Sequence, residues 1–125
     1  MRFLVVDDSA TMRRIIVNSL SRVGFNDVVE AEDGASALTK FAEGGIDFII
    51  TDWNMPQMSG VEFARAVRGR PDGATTPILM VTTRSAREDI LAAVEAGVNN
   101  YVLKPFTPPV LKEKIDAVLS LGAAA

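Results

Sequence analysis

The sequence predicts a doubly wound α/β domain in which five βα units build one parallel sheet. Three observations carry that prediction. Five short runs rich in Val, Ile, Leu and Phe alternate with segments whose apolar residues recur at helical spacing. Four of the runs are unbroken: Phe3-Leu4-Val5-Val6, Phe48-Ile49-Ile50, Ile78-Leu79-Met80-Val81 and Tyr101-Val102-Leu103. Unbroken apolar runs suit strands covered on both faces. Regular βα alternation then implies right-handed crossovers that place helices on both sides of the sheet.

In chain order, strands are expected near 2–6, 27–31, 47–51, 77–82 and 99–103. The second, with Val28 and Val29 followed by Glu30, is the weakest and reads as an edge. The first helix carries Met12, Ile15, Ile16, Leu20 and Val23, and Gly24 stops it. Asp33 caps a second helix bearing Leu38 and Phe41. Ser59 with Glu62, and Ser85 with Glu88, have the S-x-x-E spacing of capping boxes and mark two more helix starts. Thr107 followed by Pro108 is an N-cap with Pro at the first helical position. The last helix turns Leu111, Ile115, Val118 and Leu119 to one side, and Ala123–Ala125 reads as a frayed tail. The Gly- and Pro-containing loop from Gly69 to Thr76 carries no assigned chemistry.

With 125 residues the chain has the size of one domain, read as 1–125, and no output domain is expected. Its 48% apolar and 23% charged residues are ordinary for a globular fold. A net charge of −3 argues against nucleic acid or an anionic membrane as partner. No stretch approaches the length of a membrane span, and the N-terminal apolar run is too short for a signal peptide, so a cytoplasmic location is expected. There is no Cys and no His. That excludes disulfides, thiolate or imidazole metal sites, Cys nucleophiles, His-dependent triads and a phosphohistidine carrier. Chemistry is left to carboxylates, hydroxyls, Lys and Arg, the groups that handle hard cations and phosphate.

In open parallel sheets, ligands bind beyond the carboxyl ends of the strands. Asp7 and Asp8 follow the first strand, Asp52 follows the third, Thr82 and Thr83 end the fourth, and Lys104 follows the fifth. Singly, each has an ordinary reading: a helix cap, a strand residue, a solvated charge. Together, on one sheet edge, they do not. Three carboxylates against one ammonium leave a local charge near −2, which favours a divalent hard cation such as Mg²⁺. A carboxylate can accept a phosphoryl group as an acyl phosphate, and Asp52 is placed to do so. Lys104 would pair with one phosphoryl oxygen and Thr82 would donate a hydrogen bond to another, while waters and a loop carbonyl after Asp52 complete the cation's ligands. Arg13, Arg14, Lys112 and Lys114 read as solvated helix faces.

These segments resemble the receiver domains of two-component response regulators over nearly the whole chain: Leu4-Val5-Val6-Asp7-Asp8-Ser9, Glu30-Ala31-Glu32-Asp33-Gly34, Thr51-Asp52-Trp53-Asn54-Met55-Pro56, Leu79-Met80-Val81-Thr82, Ala96-Gly97 and Tyr101-Val102-Leu103-Lys104-Pro105-Phe106-Thr107. Asp-Trp-Asn-Met-Pro and Thr11-Met12-Arg13-Arg14 resemble the single-domain chemotaxis members most. The resemblance implies the flavodoxin-like strand order 2-1-3-4-5. It implies Asp52 as phospho-acceptor, with Mg²⁺ held by Asp7, Asp8, Asp52 and the carbonyl of Asn54. It also implies Lys104 as the phosphate-pairing residue, a cis Lys104–Pro105 bond, and Thr82 and Tyr101 as a switch pair. The implied partners are a chemotaxis-type sensor histidine kinase and a flagellar motor switch protein or another output protein in trans, with the receiver itself a monomer that acts on no metabolite. Thr83 is often Ala and Arg84 often acidic in such proteins, and Ser9 replaces a bulkier residue of some relatives. With Asn54, positions 83 and 84 are expected to tune the phosphorylated lifetime and to bear on any phosphatase.

Three other functions fit the sequence less well. A Mg²⁺-dependent aspartyl-phosphate phosphatase typically carries Asp-x-Asp at one strand end, whereas here the acids are adjacent and the acceptor lies on another strand. An FMN carrier needs a hydroxyl- and Gly-rich loop where this chain has Asp7-Asp8. Within the resemblance, a phosphorelay intermediate or a stand-alone receiver outside chemotaxis is the runner-up.

Overall fold

The computed structural model describes residues 1–124, with side chains through Ser120. Five strands form one parallel sheet: β1 (Phe3–Val6), β2 (Val28–Ala31), β3 (Phe48–Thr51), β4 (Ile78–Thr82) and β5 (Asn100–Leu103). Their order is β2-β1-β3-β4-β5. Helices α1 (Ala10–Arg22), α2 (Gly34–Ala42), α3 (Gly60–Arg68), α4 (Arg87–Glu95) and α5 (Pro108–Ala124) follow the strands in turn.

Side chains alternate across each strand, so neighbours feed two separate cores. Leu4, Val6, Ile49, Ile78 and Met80 pack with Phe41, Phe63, Val67 and Ala93 on the side of α2, α3 and α4. Phe3, Val5, Phe48, Ile50, Leu79 and Val81 pack with Ile16, Leu20, Leu111 and Ile115 on the side of α1 and α5. The residues of β1, β3 and β4 are all buried, as unbroken apolar runs require. β5 behaves differently. It is the second edge strand, so Leu103 remains 46% exposed despite its apolar run.

Most helix starts match their sequence signals. Asp33 accepts the Ser36 N–H at 2.7 Å. The Ser59–Glu62 capping box is complete in both directions. The Thr107 hydroxyl accepts the Val110 N–H at 3.4 Å, and Gly24 takes φ +97° just past α1.

Four details differ from expectation. The Ser85–Glu88 box does not form: α4 starts at Arg87, and its N-cap is Ala86, which has no side-chain acceptor. The extended residue before a helix is the one that can cap it, and here Ser85 lies one place too early. Ile15 falls off the inner face of α1 and stays 45% exposed. The last helix continues to Ala124, through two residues of the expected frayed tail, while Ala125 lies outside the described residues. The loop after α3 contains a short 3₁₀ turn, Pro71–Gly73, braced by Arg68, whose guanidinium donates to the carbonyls of Gly73 and Gly97. No helix among the described residues is long and apolar enough to cross a membrane.

Candidate phospho-acceptor site

Sheet register assembles the site. Val6 pairs with Thr51, so Asp7 and Asp52 leave the sheet side by side. The Asp52 N–H still bonds to the Val6 carbonyl at 2.9 Å. Thr82 pairs with Leu103, which brings Lys104 to the same edge. There the Lys104 N–H donates to the Thr82 carbonyl at 2.9 Å. The Lys104–Pro105 bond is cis. One carboxylate oxygen from each of Asp7, Asp8 and Asp52 lies within 4.8 Å of the others. Asp7 and Asp52 are buried and Asp8 stands exposed at the rim.

Each buried acid is held in place. Asp7 Oδ1 accepts the Ser9 N–H at 2.9 Å, and Ser9 in turn caps α1 through the Met12 N–H. Lys104 Nζ sits 3.2 Å from Asp7 Oδ2 and 3.4 Å from Asp52 Oδ1. The Trp53 N–H donates to Asp52 Oδ1 at 2.8 Å. Burial, followed by the charge of Asp7, raises the Asp52 carboxyl above its ordinary value against the opposing pull of Lys104 and the Trp53 N–H. The start of α3 lies tight against this residue. A Cβ added at Gly60 would come within 2.0 Å of the Asp52 carbonyl oxygen, so only glycine fits there.

The donor set fits a hard divalent cation. Three carboxylates converge with one ammonium between two of them, and all the available ligands are oxygens. Asp7, Asp8 and Asp52 are the groups that would hold Mg²⁺.

Thr82 is fully buried at the end of β4, and its Oγ1 accepts the Arg84 N–H at 3.2 Å. Tyr101 is half-buried on β5 and donates its O–H to the Arg84 carbonyl at 2.8 Å. Burial, then the nearby Asp89 carboxylate, raises the phenol above its usual range, so it is a hydrogen-bond donor at neutral pH. Thr83 is exposed beside them.

The chain is similar to known proteins over nearly its whole length. The family model described as "Response regulator receiver domain" matches residues 3–116. The chain belongs to the response regulator receiver family. The receiver is 52% identical to a Campylobacter jejuni "Chemotaxis protein CheY homolog" over 126 residues, covering 98% of this chain and 95% of that one. It is also 52% identical to "Chemotaxis protein CheY1" of Helicobacter pylori, covering 95% and 97%. Among solved structures, the Vibrio cholerae chemotaxis response regulator CheY4 superposes with a TM-score of 0.88 at 38% identity, covering 94% and 97%. A putative response regulator from Chloroflexus aurantiacus gives 0.89 at 32%, covering 95% and 97%. As a response regulator related to chemotaxis proteins, the receiver is activated by phosphorylation and works between a histidine kinase and an output target.

Two arginines of the receiver do more than sequence reasoning allows them. Arg84 donates Nε and Nη2 to Asn54 Oδ1 at 3.1 and 3.0 Å, lies 4.8 Å over the Trp53 ring, and pairs with Asp89 at 3.5 Å. It therefore links the loop after β3 to the first turn of α4. Arg13, expected on a solvated face, is largely buried and donates Nη1 to the Asp7 carbonyl at 2.6 Å while Nε meets Glu30 at 3.3 Å. No spacing in the sequence signals either contact, because both depend on where loops pass over the sheet edge. Arg14, by contrast, is exposed as expected.

Proposed function

We propose that the receiver is a chemotaxis switch in which Asp52 takes the phosphoryl group from the phosphohistidine of a chemotaxis-type sensor kinase. The observation that carries this reading is Asp52 itself: buried, beside Asp7 and Asp8, with Lys104 Nζ at 3.4 Å. An Asp52 oxygen forms the new O–P bond while the N–P bond of phosphohistidine breaks and its electron pair returns to the imidazole. Bound Mg²⁺ supplies neutralisation of the clustered carboxylates and of the charge on the transferring group. Lys104 exchanges one of its carboxylate contacts for a phosphoryl oxygen. Catalysis is confined to this transfer and to the later hydrolysis of the protein's own acyl phosphate.

The response runs through Thr82. Its Oγ1 accepts the Arg84 N–H, so a movement of the hydroxyl toward the phosphoryl group breaks that bond, and the Arg84 carbonyl is what holds Tyr101. The phosphoryl group biases this two-state element. The surface that changes lies on α4, β5 and α5. Ile90, Tyr101, Val102, Leu103, Val110 and Lys114 line an apolar groove of about 350 Å³ there. Leu91 and Val94 add exposed apolar area beside it. Its output partner is a flagellar motor switch protein.

Asn54, Thr83 and Arg84 set the lifetime. Two Arg84 N–H groups converge on Asn54 Oδ1 from one side. Held to Arg84 in this way, the Asn54 carbonyl oxygen is a poorer acceptor with which to orient an attacking water. This favours a long-lived phosphorylated form. A phosphatase would approach past Thr83 and Arg84.

Incubation with a small acyl-phosphate donor and Mg²⁺, followed by peptide mapping, should place the label on Asp52. Label on another residue, or equal labelling in a chelator, would refute the assignment. Capture of the motor switch protein should increase when a phosphate mimic is added, and indifference to the mimic would remove the output reading.

A further inference from the structure

We propose that Arg13 is a positioning residue for the cation site, fixing the peptide between Asp7 and Asp8 and so the direction in which the two acids face the ion. The inference rests on the reading of the acid cluster as a cation site. The hydrogen-bond ladder between β1 and β2 closes with the Asp7 N–H on the Ala31 carbonyl at 3.2 Å. The next acceptor along the chain is the Asp7 carbonyl. It lies past the strand and takes Arg13 Nη1 at 2.6 Å in place of a strand N–H.

That carbonyl and the Asp8 N–H share one rigid peptide plane. A bond that fixes the carbonyl therefore fixes the plane from which Asp8 departs. Asp7 has its own restraints, since Ser9 holds Oδ1 and Lys104 faces Oδ2. Asp8 stands exposed at the rim, so its backbone is what aims it. The guanidinium is itself anchored, with Nε 3.3 Å from Glu30 on β2. Its side chain is 17% exposed and that of Glu30 51%. With the Glu30 carboxylate half in water, this pair contributes little to stability. It does orient the planar fork, which can reach both oxygens only while α1 keeps this rotation over the sheet edge.

The sign of one effect separates positioning from plain charge. A cation beside a cation site repels the ion, so Coulomb's law says that removing Arg13 tightens binding. Positioning says that removing it weakens binding, and loss of an outer partner of a metal ligand typically weakens affinity about tenfold or more.

Calorimetric titration of Mg²⁺ and Mn²⁺ into the whole chain reads this directly, with urea unfolding in chelator confirming that each variant is folded. Arg13→Gln should bind both ions about tenfold more weakly. Arg13→Lys keeps the charge but offers no planar fork, and should fall between Arg13→Gln and the wild type. Glu30→Gln should weaken binding less than Arg13→Gln. Unchanged or tighter binding by Arg13→Gln overturns the proposal. Should that variant fail to fold, affinity equal to wild type in Arg13→Lys overturns it. Failure of the wild type to bind either ion would instead sink the cation-site reading beneath it.

Discussion

Replacing Asp52 with Asn should make the protein more stable while abolishing its proposed chemistry. At an effective dielectric of about 20, a carboxylate 4.8 Å away repels Asp52 by about 3 kcal/mol. Both Asp7 and Asp8 lie within that distance, though solvent screens the exposed Asp8. Lys104 at 3.4 Å returns about 5 kcal/mol. Burial adds its cost to the repulsive side and gives the raised Asp52 carboxyl its sign. Asp52→Asn should therefore be the more stable protein at pH 7 in the absence of cation. A carboxyl raised in the folded state costs nothing below its unfolded value near 3.8, and its cost grows until pH passes the raised folded value. The advantage of the variant should thus vanish below about pH 4 and reach a plateau above the folded value. Urea unfolding in chelator across this range is the assay. Saturating Mg²⁺, at about 100 times its dissociation constant, should restore about 2.7 kcal/mol to the wild type and less to the variant. Equal or lower stability of Asp52→Asn at pH 7 without cation would refute the electrostatic account of the site.

Three other substitutions probe its surroundings. Gly60→Ala drives a methyl group into the Asp52 carbonyl, and should cost about 1–3 kcal/mol in urea unfolding and slow phosphorylation as Asp52 shifts. Arg84→Glu turns the Asn54 amide around by bonding its N–H groups, freeing Oδ1, so the decay of phosphorylated protein should be several times faster; an unchanged lifetime would remove the role given to Asn54. Ala86→Ser supplies the missing cap of α4 and should add about 1 kcal/mol to thermal or urea stability.

Much of the fold is legible in the sequence because a parallel sheet leaves a strong pattern. Unbroken apolar runs mark β1, β3 and β4, and caps at Asp33, Ser59 and Thr107 mark three helix starts. β5 carries the same kind of run although it lies at an edge, because its exposed Leu103 borders an apolar groove. Hydrophobicity alone does not distinguish a residue buried in the core from one beside an open apolar groove. The acids, Thr82 and Lys104 are legible because each directly ends or follows a strand, so register alone brings them together. Arg13 and Arg84 are not, since a long side chain on a helix or loop reaches the site through a path that no periodicity encodes. Ser85 misleads because α4 starts at Arg87, so the extended residue before it is Ala86 and the box lies one place too early.

The most direct test of the account is transfer from a phosphorylated chemotaxis-type kinase to the purified chain. With Mg²⁺ present, the wild type should strip the label from the kinase phosphohistidine and carry it on Asp52, while Asp52→Asn should leave the kinase labelled. Label gained equally by Asp52→Asn would contradict the claim that Asp52 is the acceptor.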